Sequence, residues 1–235
     1  MALEHSPRSL NIFEAYESES PLATELRRLY HNIMTKEHEA PNKSFLVTSS
    51  ERGEGKSTIT SYLALTIAQY PRNKVLVVDA DLRRPQIHRI FGVDNRFGLM
   101  ECLRDYKDPM SVVKNTRMDN LKLITSGGMT ESPAQLFESE TLSEFFSKIK
   151  FYFDYVLVDS APVLAVSDIL FFCSKVDSVL FVVMAGSTPR QVVMRAKSLL
   201  MDSQANIAGV VINNASEVLP YYYDRSYYGY HQERR

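Results

Sequence analysis

Cysteine is scarce in this chain of 235 residues: Cys102 and Cys173 are the only two, far apart in sequence. Neither a CxxC pair nor a disulfide framework is indicated, and a reducing cytosol fits that usage. Long apolar runs are missing as well. The longest, roughly Ser178 to Ala185, is less than half of what a membrane-crossing helix needs and reads as a buried strand. The opening MALEHSPRSL has no basic flank ahead of an apolar core, so no secretory signal is expected. There is no excess of one charge: 27 Lys and Arg stand against 28 Asp and Glu, for a net charge of -1. With no basic block either, the balance argues against a general nucleic-acid binder. The histidines His5, His31, His38, His88 and His231 show no metal-ligand spacing, and surface or capping roles are their default.

What is present suits one large domain, because 45% apolar residues at this length supply one substantial core. Residues 1–20 are polar and aperiodic and read as a flexible arm. A helix is expected from Ser20-Pro21, with its apolar stripe on Leu22, Leu26, Leu29, Tyr30, Ile33 and Met34 and its end at Pro41-Asn42. Short apolar runs then alternate with helical patterns. FLVTS at 45, KVLVVDAD at 74, LKLITSG at 121, YVLVDSAP at 155, SVLFVVMAG at 178 and AGVVINN at 208 read as strands, several continuously apolar as strands covered on both faces should be. Thr58 to Tyr70, Thr141 to Tyr152 and Arg190 to Asp202 read as crossover helices. The pattern predicts an α/β fold, a doubly wound and mostly parallel sheet, over residues 21–214. Residues 215–235 form a flexible tail that gathers six of the 13 tyrosines.

The segment SFLVTSSERGEGKST sets GEGKS between a strand and a helix. There glycines let backbone N–H groups turn around phosphate, and the helix N-terminus adds partial positive charge. Gly53, Glu54, Gly55, Lys56, Ser57 and Thr58 are the expected nucleotide cradle, with Lys56 on the β- and γ-phosphates and the Ser57 hydroxyl on magnesium. The usual pattern has Gly where Ser50 stands. Two strands end in VLVVDAD and YVLVDSAP, and a parallel sheet opens all strand C-termini onto one edge, so Asp79, Asp81 and Asp159 should converge there. Three carboxylates beside a polyphosphate imply Mg²⁺. Asp79 and Asp159 are the expected metal partners, although any single aspartate at a strand end could instead cap a helix. Asp81 is the candidate proton acceptor for an incoming hydroxyl. Arg83 and Arg84 could touch the γ-phosphate or an acidic substrate, or form a solvated pair. Asn213 could bond the adenine edge or cap the following turn.

In succession, GEGKS, VLVVDADLRRPQIH, LITSGGMTESPAQLF and YVLVDSAPVLAVSDI resemble the Walker A, Walker A′, SG-x-x-PxxLL-like and Walker B segments of the bacterial tyrosine kinases of capsular and exopolysaccharide synthesis, from about Ser20 to Asn214. The resemblance implies a P-loop fold of the MinD/ParA-like type with ATP and Mg²⁺ as cofactors. It implies that Lys56 and Ser57 bind nucleotide and metal, that Asp79, Asp81 and Asp159 form the catalytic centre, and that Tyr221, Tyr222, Tyr223, Tyr227, Tyr228 and Tyr230 accept phosphate. It also implies a transmembrane chain-length regulator as activator, a cognate tyrosine phosphatase, and a cytoplasmic protein peripheral at the plasma membrane through that partner. No HRD or DFG signature of the unrelated eukaryotic kinases is present. The family's oligomerisation motif Glu-x-x-Arg-x-x-Arg falls on Thr24, Arg27 and Tyr30, so only Arg27 is kept; self-association is expected, and whether it closes into a ring is left open.

Phosphorylation of the tail is expected in trans, from the tail's closeness to the last strand. The rival on the same fold is a MinD/ParA-like regulatory ATPase, whose signature lysine is Glu51 here. An iron–sulfur carrier would need cysteines spaced otherwise. A tail that is only a sticky interaction element is the third alternative.

Overall fold

The computed structural model describes residues 11–35, 44–130, 132–137 and 140–215. Its centre is strand β1 (Ser44–Ser49), buried along its whole length between β5 (Tyr155–Asp159) and β6 (Ser178–Met184). With β2 (Val75–Asp79), β3 (Lys114–Asn115), β4 (Leu121–Ile124) and β7 (Ile207–Asn213), these strands form a seven-stranded sheet in the order β3-β4-β2-β5-β1-β6-β7. All neighbours are parallel except β3, which runs antiparallel to β4 at the edge. This two-residue strand is absent from the expectations because it is too short to show a period.

Both faces are covered, which is why the strand sequences do not alternate with polar residues. On one face, Phe45, Val47, Val75, Val77 and Leu157 pack against α1 (Ile12–Ala15), α2 (Pro21–Thr35), α3 (Lys56–Ala68) and α4 (Ile87–Phe91). On the other, Leu46, Val78, Val158 and Phe181 meet α5 (Leu99–Arg104), α6 (Ala134–Phe137), α7 (Glu140–Tyr152), α8 (Leu170–Cys173) and α9 (Arg190–Asp202). The three crossover helices fall where the hydrophobic period puts them, except that α3 begins at Lys56, two residues early. The left-handed backbone of Gly55 caps it there and brings Lys56 and Ser57 into the first turn.

Three differences from expectation have local causes. The arm is not free from Asn11 onward: Asn11 caps α1, Ile12 is buried, Phe13 meets Phe91 edge-on and the Tyr16 hydroxyl bonds Thr66. One turn of helix is too short to register in a periodicity. In α2 the inward stripe is Ala23, Leu26 and Ile33, while Leu22 is 43% exposed, because α2 packs closely on α3, where a small residue lets the two axes approach. Finally, β7 is an edge strand whose Val210 and Ile212 are exposed, so its apolar run is covered on one face only. The expected end of α2 at Pro41-Asn42 and the tyrosines Tyr221, Tyr222, Tyr223, Tyr227, Tyr228 and Tyr230 lie outside the described residues.

Candidate active site

The C-terminal ends of β1, β2, β5, β6 and β7 share one edge, and the chain leaves β1 toward β2 but leaves β5 toward β6, so the crevice of a doubly wound sheet opens beside β1. The phosphate loop fills it. Gly53 and Gly55 have φ of +82 and +88, left-handed values that admit little else. At Gly55 space is also lacking, since an added Cβ would stand 2.1 Å from Asn213 Nδ2. That nitrogen donates to the Glu54 carbonyl at 2.9 Å, and Asn213 Oδ1 accepts from Asn214 N at 2.9 Å. Asn213 therefore backs the loop and caps the chain as it leaves β7, with one of its two amide N–H donors engaged.

Glu54, expected to touch nucleotide, turns its carboxylate inward and is 3% exposed. Oε2 accepts from Glu51 N at 2.6 Å, closing the loop on itself, while Oε1 accepts from Met184 N at 3.3 Å and from the Thr188 hydroxyl. Only its backbone N–H is left for a phosphate. The sequence offers no signal for this, because the partners come from the far end of β6, 130 residues on. Thr58 is exposed on the first turn of α3, and Glu51 and Arg52 are exposed on the loop.

Behind the loop, the Ser57 hydroxyl donates to Asp159 Oδ2 at 2.6 Å. Asp159 is fully buried, and its Oδ1 has no hydrogen-bond partner. Burial pushes its carboxyl up to about 6 against the opposing pull of Lys56 and Ser57, with Asp81 adding repulsion. Asp79 is its register partner on the adjacent strand, and burial followed by the Asp159 charge raises Asp79 well above the ordinary carboxylate value. Two neighbouring buried carboxylates, one with an orphaned oxygen beside a serine hydroxyl, fit a hard divalent cation. No group of three His, Cys, Asp or Glu side chains among the described residues is arranged to hold a metal by itself, so the ion's shell needs phosphate and water oxygens too.

Asp79 also organises the chain that follows β2. Its Oδ2 accepts from Gln86 N at 3.1 Å and Ile87 N at 3.0 Å, and its Oδ1 accepts from Asp81 N at 3.3 Å. Both oxygens accept from the segment between Asp81 and the start of α4, so Asp79 shapes this segment. Asp81 sits at the mouth. Arg84 N bonds its Oδ1 at 3.0 Å, and among the described residues no hydrogen bond engages its other oxygen. Arg83 pairs with Asp168, a buried carboxylate near the end of the Walker B-like segment that is not among the expected site residues. Away from the site, Arg27 is held by the Ser18 carbonyl and by Thr24 Oγ1 at 3.1 Å, and Tyr30 packs on Tyr155 and Tyr70. Both cysteines are buried, and burial raises their thiols to about 11.

Comparisons with known proteins agree with this geometry. The model of the ParA family, described as NUBPL iron-transfer P-loop NTPase, matches residues 41–231. The chain is 30% identical to the tyrosine-protein kinase YwqD of Bacillus subtilis (strain 168), over 93% of this chain and 91% of that protein. It is 29% identical to the putative tyrosine-protein kinase CapB of Staphylococcus aureus, over 91% of this chain and 92% of that one. Among solved structures, the chimerical protein CapA2B2 superposes with a TM-score of 0.80 at 30% identity, covering 87% of this chain and 88% of that one.

Proposed function

Since this chain belongs to the ParA family of P-loop NTPases and, on that fold, to the bacterial tyrosine-protein kinases, we propose that it transfers the γ-phosphoryl group of ATP to tyrosine, with its own tyrosine-rich tail as first substrate. The observation that carries the proposal is the pairing of a phosphate loop, closed by Ser57 on Asp159, with Asp81, a carboxylate whose one oxygen stays unbonded at the same sheet edge. The loop N–H groups and Lys56 bind the β- and γ-phosphates. Ser57 and Asp159 would hold Mg²⁺, which supplies neutralising charge for the phosphates. Asp81 takes the proton of the tyrosine hydroxyl as its oxygen bonds to phosphorus and the bond to ADP breaks. Asp79 positions Asp81 through the Asp81 N–H and shapes the turn behind it.

Asn214, where the tail leaves β7, lies four strand spacings from β2, roughly 19 Å at about 4.8 Å each. The seven residues from there to Tyr221 span at most about 25 Å. The tail root is thus not remote from its own catalytic edge. The reach leaves Tyr221 about 6 Å of slack and Tyr223, two residues further on, about 13 Å, so a neighbouring molecule's site is favoured most for Tyr221.

The exposed side of α2, where Thr24, Arg27, Arg28, His31 and Asn32 line a cleft of about 310 Å³, is the surface through which copies associate. The motif resemblance, together with likeness to a chimera, supports a membrane-bound activator segment that completes the site, a phosphatase that resets the tail, and a part in capsular or exopolysaccharide synthesis. No helix among the described residues is long and apolar enough to cross a membrane, so the activator would also be the tether. Incubation with Mg-ATP and phosphopeptide mapping tests the proposal. Phosphate on the tail tyrosines, lost in Lys56→Met and reduced about 10²- to 10⁴-fold in Asp81→Asn, is the expected result; ATP hydrolysis with unlabelled tyrosine would return the chain to a regulatory ATPase.

A further inference from the structure

Beside Asp81 lies an open cleft of about 570 Å³ lined by Arg83, Arg84, Met129 and Thr130. Its size is that of a small-ligand pocket, and the charged side chains among its described lining residues are both arginines. The cleft is built, not incidental. Thr130 N donates to the Leu82 carbonyl at 3.0 Å, which pins the Met129 loop to the segment that follows β2. Arg83 is anchored by the buried Asp168, so its guanidinium is held in place with donors to spare. Arg84 is exposed and makes no ion pair among the described residues, and its N–H bonds the Asp81 carboxylate. Met129 is 69% exposed.

We propose that this cleft binds a phosphotyrosine already present on the tail, and so places an unmodified tyrosine two residues away at Asp81. The inference rests on the tyrosine-kinase reading above. Two arginines suit a dianionic phosphate, which takes short, charge-assisted hydrogen bonds from guanidinium. The thioether of Met129 is a favourable neighbour for an aromatic ring. An extended peptide points residues i and i+2 to the same side, about 6.6 Å apart. Tyr221 and Tyr223 have that spacing, and so do Tyr228 and Tyr230. The first phosphate then recruits the second: modification of Tyr223 makes Tyr221 the better acceptor, and the cluster fills in a self-reinforcing sequence. Acidic side chains such as Asp224 would occupy the cleft weakly before any phosphate is present.

The test is binding, so it stands whether or not phosphoryl transfer is detected. Labelled peptides of residues 216–235, unmodified, phosphorylated at Tyr223, or carrying Tyr223→Glu, are titrated by fluorescence anisotropy against the dephosphorylated full chain loaded with Mg-ADP. The phosphopeptide should bind about tenfold tighter than the unmodified one, with the Glu peptide between them. Arg84→Gln should abolish the gain and Arg84→Lys should keep part of it; Arg84 is exposed, so neither change threatens the fold. Equal affinity for all three peptides overturns the proposal, as does a gain that survives Arg84→Gln. Loss of Mg-ADP affinity in Arg84→Gln with the peptide preference intact would assign Arg84 to the nucleotide and overturn it too.

Discussion

Glu54→Gln isolates what the buried carboxylate does for the phosphate loop. The wild-type side chain accepts from two backbone N–H groups and one hydroxyl, tying the loop to itself and to the end of β6. A glutamine keeps one acceptor oxygen and turns an NH₂ toward the other donors, so at least one charge-assisted bond is lost. Such bonds contribute about 1.5 to 3 kcal/mol each. Against this, a neutral amide costs several kcal/mol less than a carboxylate to bury. The two terms act on different observables. Global stability should change by no more than about 1 kcal/mol, because relief of desolvation offsets the lost bond. Nucleotide affinity should fall by roughly 10- to 150-fold, the same 1.5 to 3 kcal/mol expressed on a loop that no longer holds its amides inward. Titration with a fluorescent ATP analogue measures the second and urea unfolding the first. A double-mutant cycle with Thr188→Val locates the coupling in the Thr188 contact, where 1 to 3 kcal/mol is expected. Nucleotide affinity within twofold of wild type would refute the argument. A stability loss that accounts for all of the affinity loss would show that the role of Glu54 is global folding instead.

Asp79→Ala removes the acceptor for Gln86 and Ile87 N–H and should cost about 1 to 2 kcal/mol in urea unfolding, as loss of a helix cap does; unchanged stability with collapsed Mg-ADP affinity would instead make Asp79 a metal ligand. Burial pushes Asp177 up, but Lys150 at 2.8 Å and the Ser44 N–H and hydroxyl outweigh it and hold its carboxyl below the ordinary value. The stability this contributes should be fully present above about pH 4 and should fade as pH drops through the lowered folded value, so wild type and Asp177→Asn should converge in acid and diverge above. A stability difference that grows on acidification would reverse the assigned sign. In a mixture of Lys56→Met protein with active, tail-deleted protein, the Lys56→Met tails should become labelled at Tyr221 to Tyr223; tails that stay blank while wild type labels itself would rule out transfer between molecules.

Much of the site was legible because its residues are local in sequence. GEGKS is one continuous loop whose glycine conformations follow from covalent geometry, and a parallel sheet must bring strand-end aspartates to one edge. Asp159 and Ser57, both expected near the metal, are hydrogen-bonded to each other. Residue type alone did not show the contacts. Asp79 and Asp159 end their strands in the same register, yet one carboxylate accepts from backbone N–H groups of the following turn and the other keeps an orphaned oxygen. The side chain of Glu54 braces the phosphate loop from within. Ala23, not Leu22, faces inward in α2 because helix-on-helix packing selects a small residue.

By itself, then, the sequence determined the α/β class, the strand and crossover-helix positions, the phosphate loop and the family, since hydrophobic period and turn chemistry act over a few residues and leave their mark in order along the chain. Only the tertiary structure decided that Asp81 keeps one oxygen unbonded, that Asp79 accepts from the turn that follows it, and which residues from β6 and β7 hold the loop. Those outcomes depend on contacts between segments up to 159 residues apart, where a hydrogen bond of 3 Å leaves no periodicity to read.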